Sequence, residues 1–335
     1  MTKYIILFFF LNLIIYIFNT KIIKFYDLYD LPNSKRKIHT SKTSIVGGFF
    51  FFLNILLYVI VIYFNKDFSD FNQIFLSDLS LLYFSLTMGS FFIFGYLDDK
   101  YHLNANLKLL ILVSLVIFIL KNDNNLLISN LNLSFSNKII ILDNYSFIFT
   151  LFCFIAFINA FNLFDGINCQ IGIYVLFIFF IILTYNNNLL LAGSVLFALI
   201  PFLALNLKGK IFIGNAGSYF LGFIISYVFI KTYNNTGYLY SDKILLIMLL
   251  PGIDMIRLFF IRIKNKRNPF SPDRNHLHHK LLEKLGYLFA IQIITILSVL
   301  PYLMSLLLDS YICIVLFIIV YFSLNNFLNS IKNFK

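Results

Sequence analysis

The stretch LLYFSLTMGSFFIFGYLDDK (Leu81–Lys100) carries the main architectural signal of the chain. It is apolar for most of its length and then ends on two adjacent aspartates, Asp98 and Asp99, and a lysine. About 20 apolar residues in helical conformation cross the roughly 30 Å hydrocarbon layer of a bilayer, and a carboxylate inside that layer is costly without a partner. The stretch therefore reads as a membrane span with an acidic pair at its end. Blocks of similar length recur along the chain. Of 335 residues, 60% are hydrophobic and 12% charged, against about 25% charged in a typical soluble domain. A globular core cannot hide this much Phe, Leu and Ile. The fold class is all-α, a polytopic membrane protein.

Apolar runs between breakers predict about eleven spans, near 3–20, 44–64, 74–96, 106–121, 145–163, 167–185, 188–206, 215–232, 243–261, 287–308 and 310–328. They form a single integral-membrane unit over 1–335. The first run lacks a small-residue cleavage site and is read as a retained helix rather than a secretion signal. The segment Leu126–Asn144 alternates apolar and polar residues around a Ser-Asn break, which predicts a short extracytoplasmic β-hairpin. Cys153, Cys169 and Cys313 show no metal-ligand spacing.

Orientation follows from Lys and Arg, which are in excess in cytoplasmic loops. With the N-terminus outside, twenty of the 26 Lys and Arg fall inside, and only Lys3, Lys66, Lys121, Lys138, Lys231 and Lys243 fall outside. The N-terminus is expected outside and the C-terminus in the cytoplasm. The net charge of +11 is then mostly a topology signal and needs no nucleic acid to explain it.

With that topology, five polar stretches share the inner face: LPNSKRKIHTSKTSIVGG (Leu31–Gly48), GYLDDKYH, NAFNLFDGIN (Asn159–Asn168), GNAGSYFLG (Gly214–Gly222) and NPFSPDRNHLHHKL (Asn268–Leu281). Two carboxylates at a helix end can hold Mg²⁺ or take a proton from a phosphate acceptor. His276, His278 and His279, with Arg274, form a cluster able to grip phosphate oxygens. Asn159, Asn162 and Asp165 recur every third residue and share a helix face, with amide and carboxylate edges suited to a nucleobase or ribose. Gly217, beside Ser218, would let a backbone approach a phosphate. Each feature alone has a plainer reading, as a solvated helix end, surface charge or helix packing. Together on one face they point to phosphoryl transfer between a water-soluble and a lipid reactant. A transporter would instead carry its ionisable groups near the midplane, where this chain has few.

At these residues the chain resembles the polyprenyl-phosphate N-acetylhexosamine-1-phosphate transferases, a glycosyltransferase family 4 group, from DLPNSKRKIH through GYLDDKY, NAFNLFDGIN and GNAGSYFLG to PDRNHLHHKL, in the family's order. The resemblance implies attack by a polyprenyl phosphate, typically undecaprenyl phosphate, on the β-phosphate of a UDP-N-acetylhexosamine such as UDP-GlcNAc. UMP is released and Mg²⁺ or Mn²⁺ is required. It implies a bacterial inner membrane location and a first step of cell-envelope polysaccharide synthesis such as lipopolysaccharide O-antigen; a homodimer through lipid-facing helices is compatible with the chain, though no motif marks one. It also implies catalytic roles for Asp98, Asp99 and Asp165, and substrate binding by Asn159, Asn162, Arg274, His276, His278 and His279. Metal binding falls to Asp99 and Asn215.

Three departures from the family pattern stand out. Asn215 occupies the aspartate position of G-D-x-G-S, Asn168 and Cys169 replace the second D-G of D-G-[IL]-D-G, and His102 stands at a position sometimes acidic. An amide oxygen can coordinate Mg²⁺ but brings no charge. The departures are compatible with a redistributed metal site, an altered donor choice or an inactive relative; the first is favoured because the other polar positions remain.

Overall fold

The computed structural model describes residues 2–32, 42–65, 74–185, 188–269 and 275–331. Helices occupy all eleven expected segments. In chain order they are α1 (Thr2–Ile17), α2 (Asn19–Tyr26), α3 (Gly47–Phe64), α4 (Asp78–Tyr101), α5 (Ala105–Asn122), α6 (Ser146–Phe164) and α7 (Gln170–Tyr185). There follow α8 (Leu189–Asn206), α9 (Gly214–Thr236), α10 (Ser241–Ile247), α11 (Leu249–Lys264), α12 (Leu277–Leu285), α13 (Tyr287–Met304) and α14 (Ser310–Ser330).

Among the described residues seven helices are long and apolar enough to cross a membrane, and nine spans result if each of two bent pairs counts as one. This falls short of the eleven predicted, for two reasons. Helix α7 has only 16 residues. Helix α9 is apolar enough to look like a span in sequence but carries Asn215, Ser218, Ser226, Lys231 and Thr232, and it is buried from Ala216 to Tyr233. Protein, rather than lipid, surrounds it. The bent pairs are α1–α2, at 73°, and α10–α11, at 71°. Pro251, in the first turn of α11, has no N–H to return to Ile247, so the ladder breaks there. The Ile247 carbonyl so released accepts the Tyr174 hydroxyl at 2.9 Å, as a backbone group away from water requires.

Helix α9 is the axis on which α3, α4 and α6 pack. Phe91 stacks on Phe223 at 4.8 Å and 11°, and Phe84 lies against Tyr227 at 4.8 Å. At its N-terminal end the approach is closer. A Cβ on Gly48 would sit 2.4 Å from the Gly217 backbone, and one on Gly95 would sit 2.4 Å from the Ala216 Cα. Small residues let these helices touch backbone to backbone.

Two small antiparallel pairs lie toward opposite ends of α9. β1 (Tyr29–Asp30) pairs with β2 (Thr43–Ser44), Tyr29 opposite Ser44. The chain then bonds the segment ahead of α9: Phe212 N–H donates to the Ser44 carbonyl at 2.7 Å, and Gly48 N–H to that of Ile213 at 2.9 Å. β3 (Asn130–Asn132) pairs with β4 (Ile139–Ile141) inside the segment predicted as a hairpin. Its turn is pinned where the Ser134 N–H and hydroxyl both donate to Asp242.

Candidate active site

The site forms where α4 and α6 end and α9 begins. Asp98 and Asp99, adjacent in sequence, part company here. The chain leaves α4 through His102, which adopts φ 51° as the helix cap, and turns straight into α5 behind Asn104, whose side chain accepts from the Leu107 N–H at 2.8 Å. That turn seals Asp98. It is fully buried, accepts the Leu103 N–H at 3.1 Å and lies 2.8 Å from the Lys108 ammonium. Asp99 faces α9 instead. Its two oxygens accept the N–H groups of Asn215 at 2.9 Å and Ala216 at 3.0 Å, which seats a carboxylate on a helix N-terminus where anions are favoured. Gly214 (φ +72°) makes room for it, since a Cβ there would be 2.7 Å from Asp99 Oδ2.

This corrects one expectation. The N-terminus of α9 offers its first amides to Asp99 rather than to a phosphate, and Gly217 serves contact with Gly48.

From α6, Asn162 Nδ2 donates to Asn215 Oδ1 at 3.0 Å and to Ser218 Oγ at 2.6 Å, which leaves the side-chain oxygen Oδ1 for another partner. Asn159 turns back on its own helix and donates to the Ile155 carbonyl at 2.9 Å. Asp165, the first residue past α6, is half-buried and near enough for its charge to be felt at Asp99. Loss of surrounding water pushes its carboxyl up to about 7.

Gly166 joins this turn to the histidines, since a Cβ on it would lie 1.9 Å from His278 Nε2. The His276 and His278 rings are parallel, 5.2 Å apart and 9° from coplanar, and His279 meets His278 edge-on at 4.2 Å. Burial first, then the neighbouring imidazoles, hold His278 well below the usual range, so it is neutral. Asp99, Asn162, Asp165, His276, His278 and His279 thus come together at one end of the bundle, with Asp98 just behind. Arg274 lies outside the described residues.

Residues 81–233, from α4 into α9, match the family described as Glycosyl transferase family 4. Over that segment, just under half of the chain, this protein is similar to glycosyl transferase family 4. It is also 29% identical over 299 residues to the undecaprenyl-phosphate alpha-N-acetylglucosaminyl 1-phosphate transferase of Escherichia coli K12, covering 85% of this chain and 77% of the relative. It is 28% identical over 274 residues to the protein of that name from Salmonella typhimurium, covering 78% and 70%. With the Thermotoga maritima protein of that name it shares 27% over 285 residues, covering 83% and 79%.

The matched segment contains Asp98, Asp99, Asn162, Asp165 and Asn215, while the histidines follow it. Among the described residues no three His, Cys, Asp or Glu side chains form a metal cage. A hard cation such as Mg²⁺ needs only one or two carboxylates, with water and phosphate oxygens completing its shell. Asp99 and the Asn162 amide oxygen are of that kind, with Asp165 close by. The Asn215 amide oxygen already accepts from Asn162.

Sequence reasoning assigned no role to Lys108, or to Asp254 and Arg257 in α11, which prove to surround the site. Charged residues within an apolar helix are a signal in themselves, and Asp254 and Arg257, three apart, share a helix face. Nothing in the sequence announces Tyr321 of α14 as their partner.

Proposed function

We propose that this protein transfers N-acetylhexosamine 1-phosphate from a UDP-sugar to a polyprenyl phosphate, with release of UMP. The observation that carries this reading is the meeting of Asp99, Asp165, Asn162 and the three imidazoles at one end of a bundle of apolar helices. A nucleotide and a lipid headgroup can meet only at such a boundary. We place this end at the cytoplasmic face of a bacterial inner membrane, with the N-terminus outside, because Lys and Arg are most frequent in the loops that form it. The β3–β4 pair then lies outside.

In the reaction an oxygen of the lipid phosphate attacks the β-phosphorus of the donor. The bond from that phosphorus to the α–β bridging oxygen breaks, and UMP leaves with the electron pair. Asp165 is assigned the proton of the attacking phosphate, since a carboxyl near 7 both accepts and returns a proton at neutral pH. Asp98, paired with Lys108, is assigned to hold the α4–α5 turn. Asn162 and Asn159 line the nucleotide side, and the imidazoles face the donor's diphosphate and sugar. Mg²⁺ or Mn²⁺, held by Asp99 and the Asn162 side-chain oxygen, with Asn215 beside them, would supply positive charge to the diphosphate.

The test is UMP release by purified protein given polyprenyl phosphate, Mg²⁺ and a panel of UDP-N-acetylhexosamines including UDP-GlcNAc. Release with one donor and formation of a lipid-linked diphosphate sugar are expected. No release with any donor contradicts the reading.

A further inference from the structure

Behind the histidines lies a buried network. Asp254 Oδ1 accepts from Arg257 at 2.8 Å, from the Tyr321 hydroxyl at 2.6 Å and from the Leu277 N–H at 3.2 Å. Oδ2 meets His276 Nδ1 at 2.8 Å. Tyr321 in turn accepts from Arg257 Nε at 2.7 Å, so its single proton is committed to Asp254. Arg257 also donates to the Asn275 carbonyl at 2.6 Å, fixing the residue just before His276. Asp254, Arg257, His276 and Tyr321 are all buried.

The donors decide the tautomer. Arg257, the Leu277 amide and Tyr321 all present protons to Asp254, so the carboxylate acts as acceptor and His276 carries a proton on Nδ1. That leaves Nε2 as the one ring nitrogen able to exchange a hydrogen bond with anything else. The ring plane is fixed as well, and it is stacked on His278, which packs against Gly166 beside Asp165.

We propose that Asp254 is a positioning residue of the reaction, locking His276 so that Nε2 faces the diphosphate of the nucleotide-sugar donor, and that Tyr321 of the last helix holds Asp254 in place. This rests on the transferase reading above. Nothing in it requires Asp254 to touch a substrate. Outer hydrogen bonds of this kind to functional histidines are worth about 10- to 100-fold when removed.

Asp254→Asn keeps the volume but turns an N–H₂ toward Nδ1, which favours the opposite tautomer. UMP release per folded molecule is expected to fall about 10- to 100-fold, mainly in kcat, with the KM for polyprenyl phosphate unchanged. Tyr321→Phe should give a smaller loss of the same kind. The decisive readout is a double-mutant cycle. If Asp254 acts through His276, Asp254→Asn costs little further rate once His276→Ala is present. A purely structural network predicts the same fractional loss in both backgrounds, and that result, or wild-type kcat in well-folded Asp254→Asn, overturns the proposal. Should Asp254→Asn fail to give monodisperse protein in detergent, the cycle is run with Tyr321→Phe and judged by the same outcomes. Absence of UMP release from the wild type with every donor is a different failure, one of the transferase reading.

Discussion

The two ends of α9 each bury carboxylates and treat them in opposite ways. At the far end Asp123 accepts the Lys231 ammonium at 2.8 Å on one oxygen and the Tyr227 hydroxyl at 2.8 Å on the other. Lys231 is fully buried. That end is electrically closed and needs no ligand. At the near end, about 24 Å away along the helix, Asp99 is held by backbone dipoles. Asp165 has no ion-pair partner among the described residues, and the two carboxylates lie in each other's field. The near end carries negative charge that a cation, together with a phosphate-bearing reactant, would balance. Under the proposed function, one end of the same helix serves stability and the other serves ligands.

The largest expected effect breaks the near end. Asp165→Asn should lower UMP release by about 10³-fold, within the span seen for removal of a general base, while leaving the amount of folded protein unchanged. Exchanging the region exchanges the readout. Asp123→Ala leaves Lys231 buried without its partner and should cost about 3–5 kcal/mol. This appears as early thermal unfolding in detergent, with the rate per folded molecule retained.

Gly166→Ala tests the joint between the acidic turn and the histidines. Its new Cβ would strike His278 Nε2, so the ring must swing away. UMP release should fall about 10- to 100-fold, with a smaller effect on stability than Asp123→Ala, in line with the loss expected when a functional group is mispositioned.

A pH series sharpens the contrast further. With the Asp165 carboxyl near 7, kcat/KM should rise up to about tenfold per unit below that pH and level off above it. The folded state binds this proton more tightly than the unfolded chain, whose carboxyl titrates near 3.8. The Asp165 contribution to stability is therefore full at low pH and is lost as pH rises through about 7. Thermal unfolding of wild type against Asp165→Asn between pH 5 and 8 should show that loss in the wild type alone. The smallest effect is expected from Asn215→Asp. A carboxylate beside Asp99 should lower the Mg²⁺ concentration for half-maximal rate by a few-fold, read by titrating the metal.

Much of this contrast was legible in the sequence because it is chemical. Carboxylates, amides and imidazoles clustered in loops on one predicted face, and helical spacing linked Asn162 to Asp165. What escaped was geometric. Asp98 and Asp99 read as one pair, yet successive positions on a helix point about 100° apart, so one turned toward Lys108 and the other toward α9. The apolar run of α9 read as one more span, and hydropathy could not say that protein rather than lipid would surround it. The span predicted over 243–261 ran straight through Pro251, where the helix bends, and nothing local announced the Tyr174 hydroxyl that meets the freed carbonyl. Tyr321 lies 67 residues from Asp254, and no local pattern can foretell that contact.

The most direct measurement compares wild type, Asp165→Asn and Asp123→Asn side by side in proteoliposomes containing polyprenyl phosphate, UDP-N-acetylhexosamine donors and Mg²⁺, with UMP counted per folded molecule. Turnover is expected in the wild type, near-complete loss in Asp165→Asn and near-normal turnover in whatever Asp123→Asn protein folds. Full activity in Asp165→Asn, or equal specific loss in both variants, would contradict the division of α9 into a structural end and a reactive one.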